Sequence, residues 1–459
     1  MSYSQVLSVG LSDSLIDDPS FQDPNPPQPG VPMNPSTQYT TPTHGAYTSS
    51  AQGPPPPIPG NRPPPIPGNR PGVPTAPAAP MPVPQHILNN HTADAPFIPI
   101  PVHAASGHAS AQSTNADNIL LTIVYNGLVV PNPRAPPPPY GNLKVQGYNP
   151  LVDAETIMNA CKGFGTDEAA LIKTLTKIVP LKMDALADFY VSKYGQRLVD
   201  HIDKKTRSWF GMGLHGLVTG PLAWDVELLH EAVDGVGTDE DLLTELIIDR
   251  SSDDLYRLSV EYKYKYGSDL SVKIRDDLSG QTEKLYLIAL NARRPTESTP
   301  IDYTLVDKDI LDLFNAGQGK RGRNEMVFFN IICQRSRAHL SAVVGGYGAK
   351  YRSLTKVIKS EFTGHMRASL LFAVEGVKPK RDQRGIWRDA KMIDKAMVGF
   401  GTRDKQLVYR IVRAQWDRER FVAIKEAYHR RTGKTLESRV KSETSGDYQK
   451  LMLALIKGD

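Results

Sequence analysis

The sequence predicts an all-α protein: four repeats of about five short helices each, preceded by a disordered Pro-rich tail. Three observations predict it. A glycine turn recurs as Gly163-Phe164-Gly165-Thr166-Asp167, Gly235-Val236-Gly237-Thr238-Asp239 and Gly399-Phe400-Gly401-Thr402-Arg403. Each turn follows an aspartate that opens a helical run, with twelve residues from Asp153 to Gly165, from Asp225 to Gly237 and from Asp389 to Gly401. A degenerate fourth copy fills the gap, where Asp307 precedes Gly317-Gln318-Gly319-Lys320-Arg321-Gly322. Composition breaks near residue 150, since 33 of the 38 prolines lie before it. Self-similarity at such a period marks a repeat architecture, in which neighbouring copies bury each other's apolar faces.

Residues 1–150 hold no glutamate, six aspartates and four basic residues. Such a segment cannot bury enough apolar surface to offset its ordering entropy, which predicts disorder. Pro-Pro-Pro-Ile-Pro-Gly-Asn-Arg occurs at 55–62 and again at 63–70, a composition that favours polyproline II. Pro137-Pro138-Pro139-Tyr140 fits the PPxY pattern that WW domains read. A WW- or SH3-type partner and a plain spacer are the two readings of this tail. Its one apolar island, residues 118–130, either forms a strand or docks on the core; the sequence leaves both open.

From residue 151 the pattern turns helical. Leu171, Ile172, Leu175 and Ile178 share one helical face, as do Leu242, Leu243, Leu246 and Ile247. Thr166 and Thr238 are expected N-caps, with acidic residues in the first turn behind them. Tyr194-Gly195 and Tyr266-Gly267 read as helix ends, and 284–290 and 450–456 as closing apolar helices. The repeats are placed at 151–222, 223–295, 305–377 and 387–459.

The net charge of +5 hides an asymmetry. Residues 151–300 carry 18 basic and 25 acidic side chains, net −7, whereas residues 301–459 carry 32 and 18, net +14. The basic half is either a solvated face or one drawn to anionic surfaces such as membranes. Cys161 and Cys333 alone make neither a disulfide framework nor a zinc set, and reduced thiols in a cytoplasmic protein are the expectation. No secretory leader and no run of 18 apolar residues is evident, so any membrane contact is expected to be peripheral.

A Gly-x-Gly turn can aim its carbonyl oxygens outward without a Cβ penalty. Two or three such carbonyls plus one carboxylate form the oxygen set that Ca²⁺ takes, with open positions for water or phosphate oxygens. Three turns, each with an acidic slot about forty residues on, point to that chemistry.

The region from about 151 to the end resembles an annexin core. The family pattern is K/M-x-G-x-G-T-[DE] with a Glu or Asp about 40 residues later, repeated four times. The resemblance implies five helices per repeat, calcium as the bound ion, and calcium-dependent binding to acidic phospholipid with no enzymatic activity. It implies carbonyl ligands at Val233, Gly235 and Gly237 with the carboxylate of Asp277 in repeat two. In repeat four the matching set is Met397, Gly399, Gly401 and Glu443, whose longer spacing implies a two-residue insertion near 415–418. Repeat one has Cys161, Gly163 and Gly165, but Lys205 stands at the acidic position and its ammonium repels calcium; the site is expected to be lost. In repeat three Gly317, Lys320, Gly322 and Glu361 align, against the positive charges of Lys320, Arg321 and Arg323, and calcium there is left open. Oligomerisation on a membrane is compatible with the resemblance.

Other motifs fail on context. Gly317-x-Gly319-x-x-Gly322 follows a helical segment, not the strand that a dinucleotide fingerprint needs. Gly433-Lys434-Thr435 lacks the earlier glycine of a P-loop, since Tyr428 stands there. No histidine pair or Gly-x-Ser-x-Gly elbow suggests catalysis. The expected function is therefore calcium-dependent docking to acidic phospholipid. The alternative is a calcium-independent scaffold or nucleic-acid-binding protein using the basic half and the tail.

Overall fold

The computed structural model describes residues 122–135, 139–235, 237–319, 323–379, 381–382 and 384–458. Of the tail expected to be disordered, residues 1–121 and 136–138, with the proline repeats at 55–70 and Pro137 and Pro138, lie outside the described residues.

The ordered body begins earlier than residue 151. Strands β1 (Thr122–Tyr125) and β2 (Leu128–Pro131) form an antiparallel hairpin. Its turn, Asn126-Gly127, has φ of +52° and +77°, the left-handed pair that a two-residue hairpin requires. Alternation then sorts the strands: Tyr125 and Val130 are buried, while Val124 and Val129 face outward. The Tyr125 hydroxyl donates to Asp225 Oδ2 at 2.8 Å, and the Asn126 N–H to Asp254 Oδ1 at 2.7 Å. Further on, Asp188 accepts from the backbone N–H groups of Gly141 and Leu143 at 2.9 and 3.0 Å. The apolar island thus does both things left open above: it forms strands and docks. Aspartates of the helical core supply the partners that make residues 122–131 and the 141–143 stretch exceptions to the disorder expected of 1–150.

Twenty helices follow among the described residues, five to a repeat. Repeat one holds α1 (Leu151–Ala160), α2 (Glu168–Leu175), α3 (Pro180–Tyr194), α4 (Leu198–Lys205) and α5 (Ser208–Thr219). Repeat two holds α6 (Pro221–Val233), α7 (Glu240–Ile247), α8 (Ser252–Tyr266), α9 (Leu270–Asp277) and α10 (Gly280–Leu290). Repeat three holds α11 (Tyr303–Ala316), α12 (Glu325–Gln334), α13 (Arg337–Lys350), α14 (Leu354–Glu361) and α15 (Gly364–Gly376). Repeat four holds α16 (Ile386–Met397), α17 (Asp404–Gln415), α18 (Arg418–Thr432), α19 (Leu436–Glu443) and α20 (Gly446–Lys457). The second and third helices start 12 residues apart in repeats one (168, 180), two (240, 252) and three (325, 337), but 14 apart in repeat four (404, 418). The insertion falls where the spacing placed it, at the end of a lengthened α17.

Repeats one and four pack together through α5, α17 and α20, and repeats two and three through α10, α12 and α15. Ion pairs then join the acidic first half to the basic second half. Lys405 meets Glu231 and Asp239 at 3.0 and 2.9 Å, Arg410 meets Glu245 at 2.6 Å, and Arg413 meets Asp225 at 2.8 Å. Arg337 and Arg388 both reach Asp249 at 2.5 Å. These pairs engage five basic side chains of the second half and leave most of its net +14 outside them. Trp224 and Trp416 pack edge to face at 6.0 Å, so these two tryptophans join repeats rather than anchor a membrane.

Two sequence expectations shift by a residue or two. The N-caps of α2 and α7 are Asp167 and Asp239, whose side chains accept from the N–H groups of Ala170 and Leu242; Thr166 and Thr238 sit one residue too early. In repeat three the buried aspartate is Asp309, paired with Arg335 at 2.6 Å, whereas Asp307 is exposed and pairs with Lys350.

Candidate functional site

In every repeat the glycine turn joins the first helix to the second and is closed by one backbone hydrogen bond. Asp167 N–H donates to Ala160 at 2.8 Å, Asp239 to Ala232 at 3.1 Å, Asn324 to Ala316 at 2.9 Å and Arg403 to Ala396 at 2.8 Å. The bond spans seven residues in repeats one, two and four, and eight in repeat three, whose loop is one residue longer. Gly163, Gly165, Gly237, Gly399 and Gly401 all have positive φ, a conformation that glycine adopts at no steric cost. The end of the fourth helix lies beside each turn, so residues about forty apart meet.

In repeat two Thr238 Oγ1 donates to Asp277 Oδ2 at 2.6 Å, which fixes the carboxylate beside the turn. Among the described residues no donor reaches Asp277 Oδ1. Gly235 and Gly237 are exposed in the turn, and Val233 ends α6. A neighbouring ion pair, Lys273 with Asp234 at 2.8 Å, steadies α9 against the start of the turn. Val236 lies outside the described residues.

In repeat four Thr402 Oγ1 approaches Glu443 Oε2 at 3.3 Å and its carbonyl at 3.2 Å. An arginine also enters. Arg439 Nη2 donates to the Met397 carbonyl at 2.5 Å and pairs with Glu443 Oε1 at 3.2 Å. The guanidinium therefore engages two of the four expected ligands, an arrangement not drawn from the sequence. An i,i+4 Arg–Glu pair on α19 was the available signal.

Repeat one brings Lys205 to the turn as expected. Its Nζ donates to the Gly163 carbonyl at 2.9 Å. Burial pushes the Cys161 thiol pKa up, partly offset by the Lys205 ammonium. With no carboxylate across from it, Thr166 turns to Glu168 Oε1 at 2.6 Å. In repeat three Arg323 occupies the threonine position; it pairs with Glu325 at 2.8 Å, bonds the Glu361 carbonyl, and lies over the Phe362 ring. Lys320, Arg321 and Gly322 lie outside the described residues, so of that set only Gly317 and Glu361 are placed.

Phe164 and Phe400, the middle residues of the turns in repeats one and four, are fully exposed. Two bare phenylalanines at loop tips are costly in water. The sequence reading did not single these out, although the x of Gly-x-Gly is the natural tip.

A second polar feature is a cleft of about 500 Å³ lined by Asp249, Arg294, Arg337, Arg388, Asp389 and Trp416. Burial pushes Asp249 up, but the guanidiniums of Arg337, Arg388 and Arg294 hold it below the usual carboxylate range. Partial burial pushes Asp389 up, but Arg388 and Arg420 hold it at about 2. These pairs tie the α7–α8 turn to α13 and α16, and α16 to α18. The hairpin tip, Asn126, borders the same cleft.

Four five-helix repeats, each with a glycine turn beside the end of its fourth helix, define an all-α repeat protein. The annexin family model matches residues 152–217, 224–289, 312–372 and 388–455, more than half of the chain. The chain belongs to the annexin family. It is 38% identical over 336 residues to Annexin C1 of Cryptococcus neoformans var. grubii, covering 73% of this chain and 70% of that protein. It is 34% identical to mouse Annexin A11, covering 73% of this chain and 66% of the relative. Human Annexin A4 is 34% identical, covering 68% of this chain and 96% of the relative. Among solved structures, annexin III superposes with a TM-score of 0.63 at 30% identity over 69% of this chain and 96% of that one. A point mutant of annexin A8 with an intact N-terminus gives 0.64 at 32% identity over 69% and 97%. The matches cover the helical repeats. Annexins are generally non-enzymatic, calcium-dependent phospholipid binders. No helix among the described residues is long and apolar enough to cross a membrane.

Proposed function

We propose that this protein docks peripherally, from the cytoplasm, on acidic phospholipid bilayers through calcium held in the turns of repeats two and four. The observation that carries this reading is the repeat-two turn. There an exposed Gly-x-Gly backbone stands beside a carboxylate that Thr238 orients at 2.6 Å. Val233, Gly235, Gly237 and Asp277 would hold the ion. Calcium, when bound, supplies a hard cation with positions left for lipid phosphate oxygens. Thr238 and the Asp239–Ala232 bond pre-organise the ligands, so little ordering remains at binding. Met397, Gly399, Gly401 and Glu443 are the corresponding set in repeat four. Arg439 must leave Met397 and Glu443 before that set can take a cation, so repeat four is the weaker site.

Repeat one, with Lys205 on Gly163, is read as lacking a calcium site. Repeat three, with Arg323 across from Glu361, is read as a weak site or none. The protein is read as non-enzymatic. Its tail is read as the partner-recruiting arm, for which the exposed Tyr140 ring supplies the described end of the PPxY motif. Assembly of several copies on the bilayer is compatible with this reading.

Calorimetric titration of calcium in the presence of phosphatidylserine/phosphatidylcholine vesicles tests the assignment. Two ions per chain are expected, one lost in Asp277→Ala and the other in Glu443→Ala. Full stoichiometry in both variants would refute it.

A further inference from the structure

The turn of repeat one is built like that of repeat two but carries its own cation. Gly165 has φ of +89° against +83° at Gly237, and the closing backbone bond is the same, while Gly163 at +81° differs from Gly235, which is not left-handed. Where repeat two presents the Asp277 carboxylate, repeat one presents the Lys205 ammonium, 2.9 Å from the Gly163 carbonyl. That carbonyl is one that the repeat-two pattern assigns to calcium. The residue between the two glycines, Phe164, is fully exposed, as is Phe400 in repeat four. Lys162 and Lys204 are exposed on either side of the same turn. The result is an apolar tip within a basic collar.

We propose that Lys205 serves as a resident cation that holds the repeat-one turn ready, so that Phe164 enters an acidic bilayer without a calcium ion of its own. The proposal rests on the membrane-docking reading above. A carbonyl-lined turn with no cation has converging oxygen dipoles that repel one another. Repeat two relieves this when calcium arrives; repeat one relieves it permanently with an ammonium. Lys162 and Lys204 then meet anionic headgroups, each contributing modestly and in a salt-dependent way. Phe164 crosses into the apolar boundary, where its ring leaves water. Repeat one thus supplies a constant, calcium-independent share of the attraction. Repeats two and four supply the calcium-gated share.

The test uses the full chain on phosphatidylserine/phosphatidylcholine vesicles, with calcium stoichiometry and vesicle partitioning read on the same samples. Phe164→Ser should weaken partitioning roughly tenfold at fixed calcium and leave the number of bound calcium ions unchanged. Lys205→Glu should add one calcium ion per chain. It should also partition less than the parent at low calcium and recover at high calcium. Phe164 is on the exposed turn and Lys205 ends α4 beside it, and unchanged thermal melting would show that folding is intact. If the parent pellets with calcium but Phe164→Ser pellets equally well, or Lys205→Glu takes up no extra ion, the proposal is wrong and the docking reading stands. If the parent itself fails to pellet with calcium, both are wrong.

Discussion

In repeat two, α9 ends on Asp277, which meets Thr238 of the glycine turn at 2.6 Å. In repeat one, α4 ends on Lys205, which meets Gly163 of the matching turn at 2.9 Å. The second, third and fourth helices have equal lengths in the two repeats, the closing bond is the same, and Gly165 and Gly237 are both left-handed, although Gly163 is left-handed and Gly235 is not. The side chain at the end of the fourth helix thus separates a turn that presents a carboxylate from one that already contains a cation. The scaffold fixes where the oxygens point, and a single charge at the end of the fourth helix decides what they bind. Repeat four lies between the two: it keeps the carboxylate, yet Arg439 engages it.

The comparison breaks first at Asp277. Asp277→Ala should raise the calcium concentration for half-maximal vesicle binding by roughly a hundredfold, since the only carboxylate of a weak oxygen site is removed. Glu443→Ala should raise it by roughly tenfold, because repeat four is already opposed by a guanidinium. Sedimentation across a calcium series measures both, and equal effects would remove the distinction between the two sites. Arg439→Ala sharpens the point in the other direction. It should lower the calcium requirement, and no change would mean that the arginine leaves without cost.

A smaller effect concerns the junction between the fourth and fifth helices. Gly280, Gly364 and Gly446 adopt φ of +62°, +55° and +63° there, but repeat one has Ser208 at +56°. A non-glycine residue in this region is strained. Ser208→Gly should therefore stabilise the protein by about 1 kcal/mol in a denaturant melt.

The smallest effect is at the seam between repeats one and two. His215 meets Asp203 at 2.9 Å and Glu227 at 2.6 Å. Burial lowers its pKa, but the Glu227 and Asp203 carboxylates more than offset that, and the net shift is upward from 6.5. A raised folded-state value means that the stabilisation is full below pH 6.5 and is lost as pH rises through the folded value. The melting-temperature advantage of the parent over His215→Gln should shrink as pH rises above 6.5. A constant or growing difference would contradict the assignment.

The fold was legible because the repeat is written in glycines, whose backbone demand admits few substitutes, and in apolar faces at helical spacing. Asp277 and Glu443 were legible for the same reason, since a fixed spacing from the turn brings them beside it. The two-residue insertion at α17 was readable as an offset in that spacing. Arg439 was not, because its role depends on a rotamer that reaches across to Met397. The hairpin was left open because its partners, Asp225 and Asp254, lie about a hundred residues away or more. Asp307 was taken in place of Asp309 because the longer loop of repeat three moved the register.

The central claim is that carbonyl turns with a carboxylate in repeats two and four bind acidic bilayers through calcium. Its most direct test is co-sedimentation of the full chain with phosphatidylserine/phosphatidylcholine vesicles, with calcium or EDTA, at low and physiological salt. Pelleting that requires calcium and persists at physiological salt is the result expected. Pelleting that ignores EDTA and fades with salt would contradict it, and would shift the account to charge attraction by the basic half.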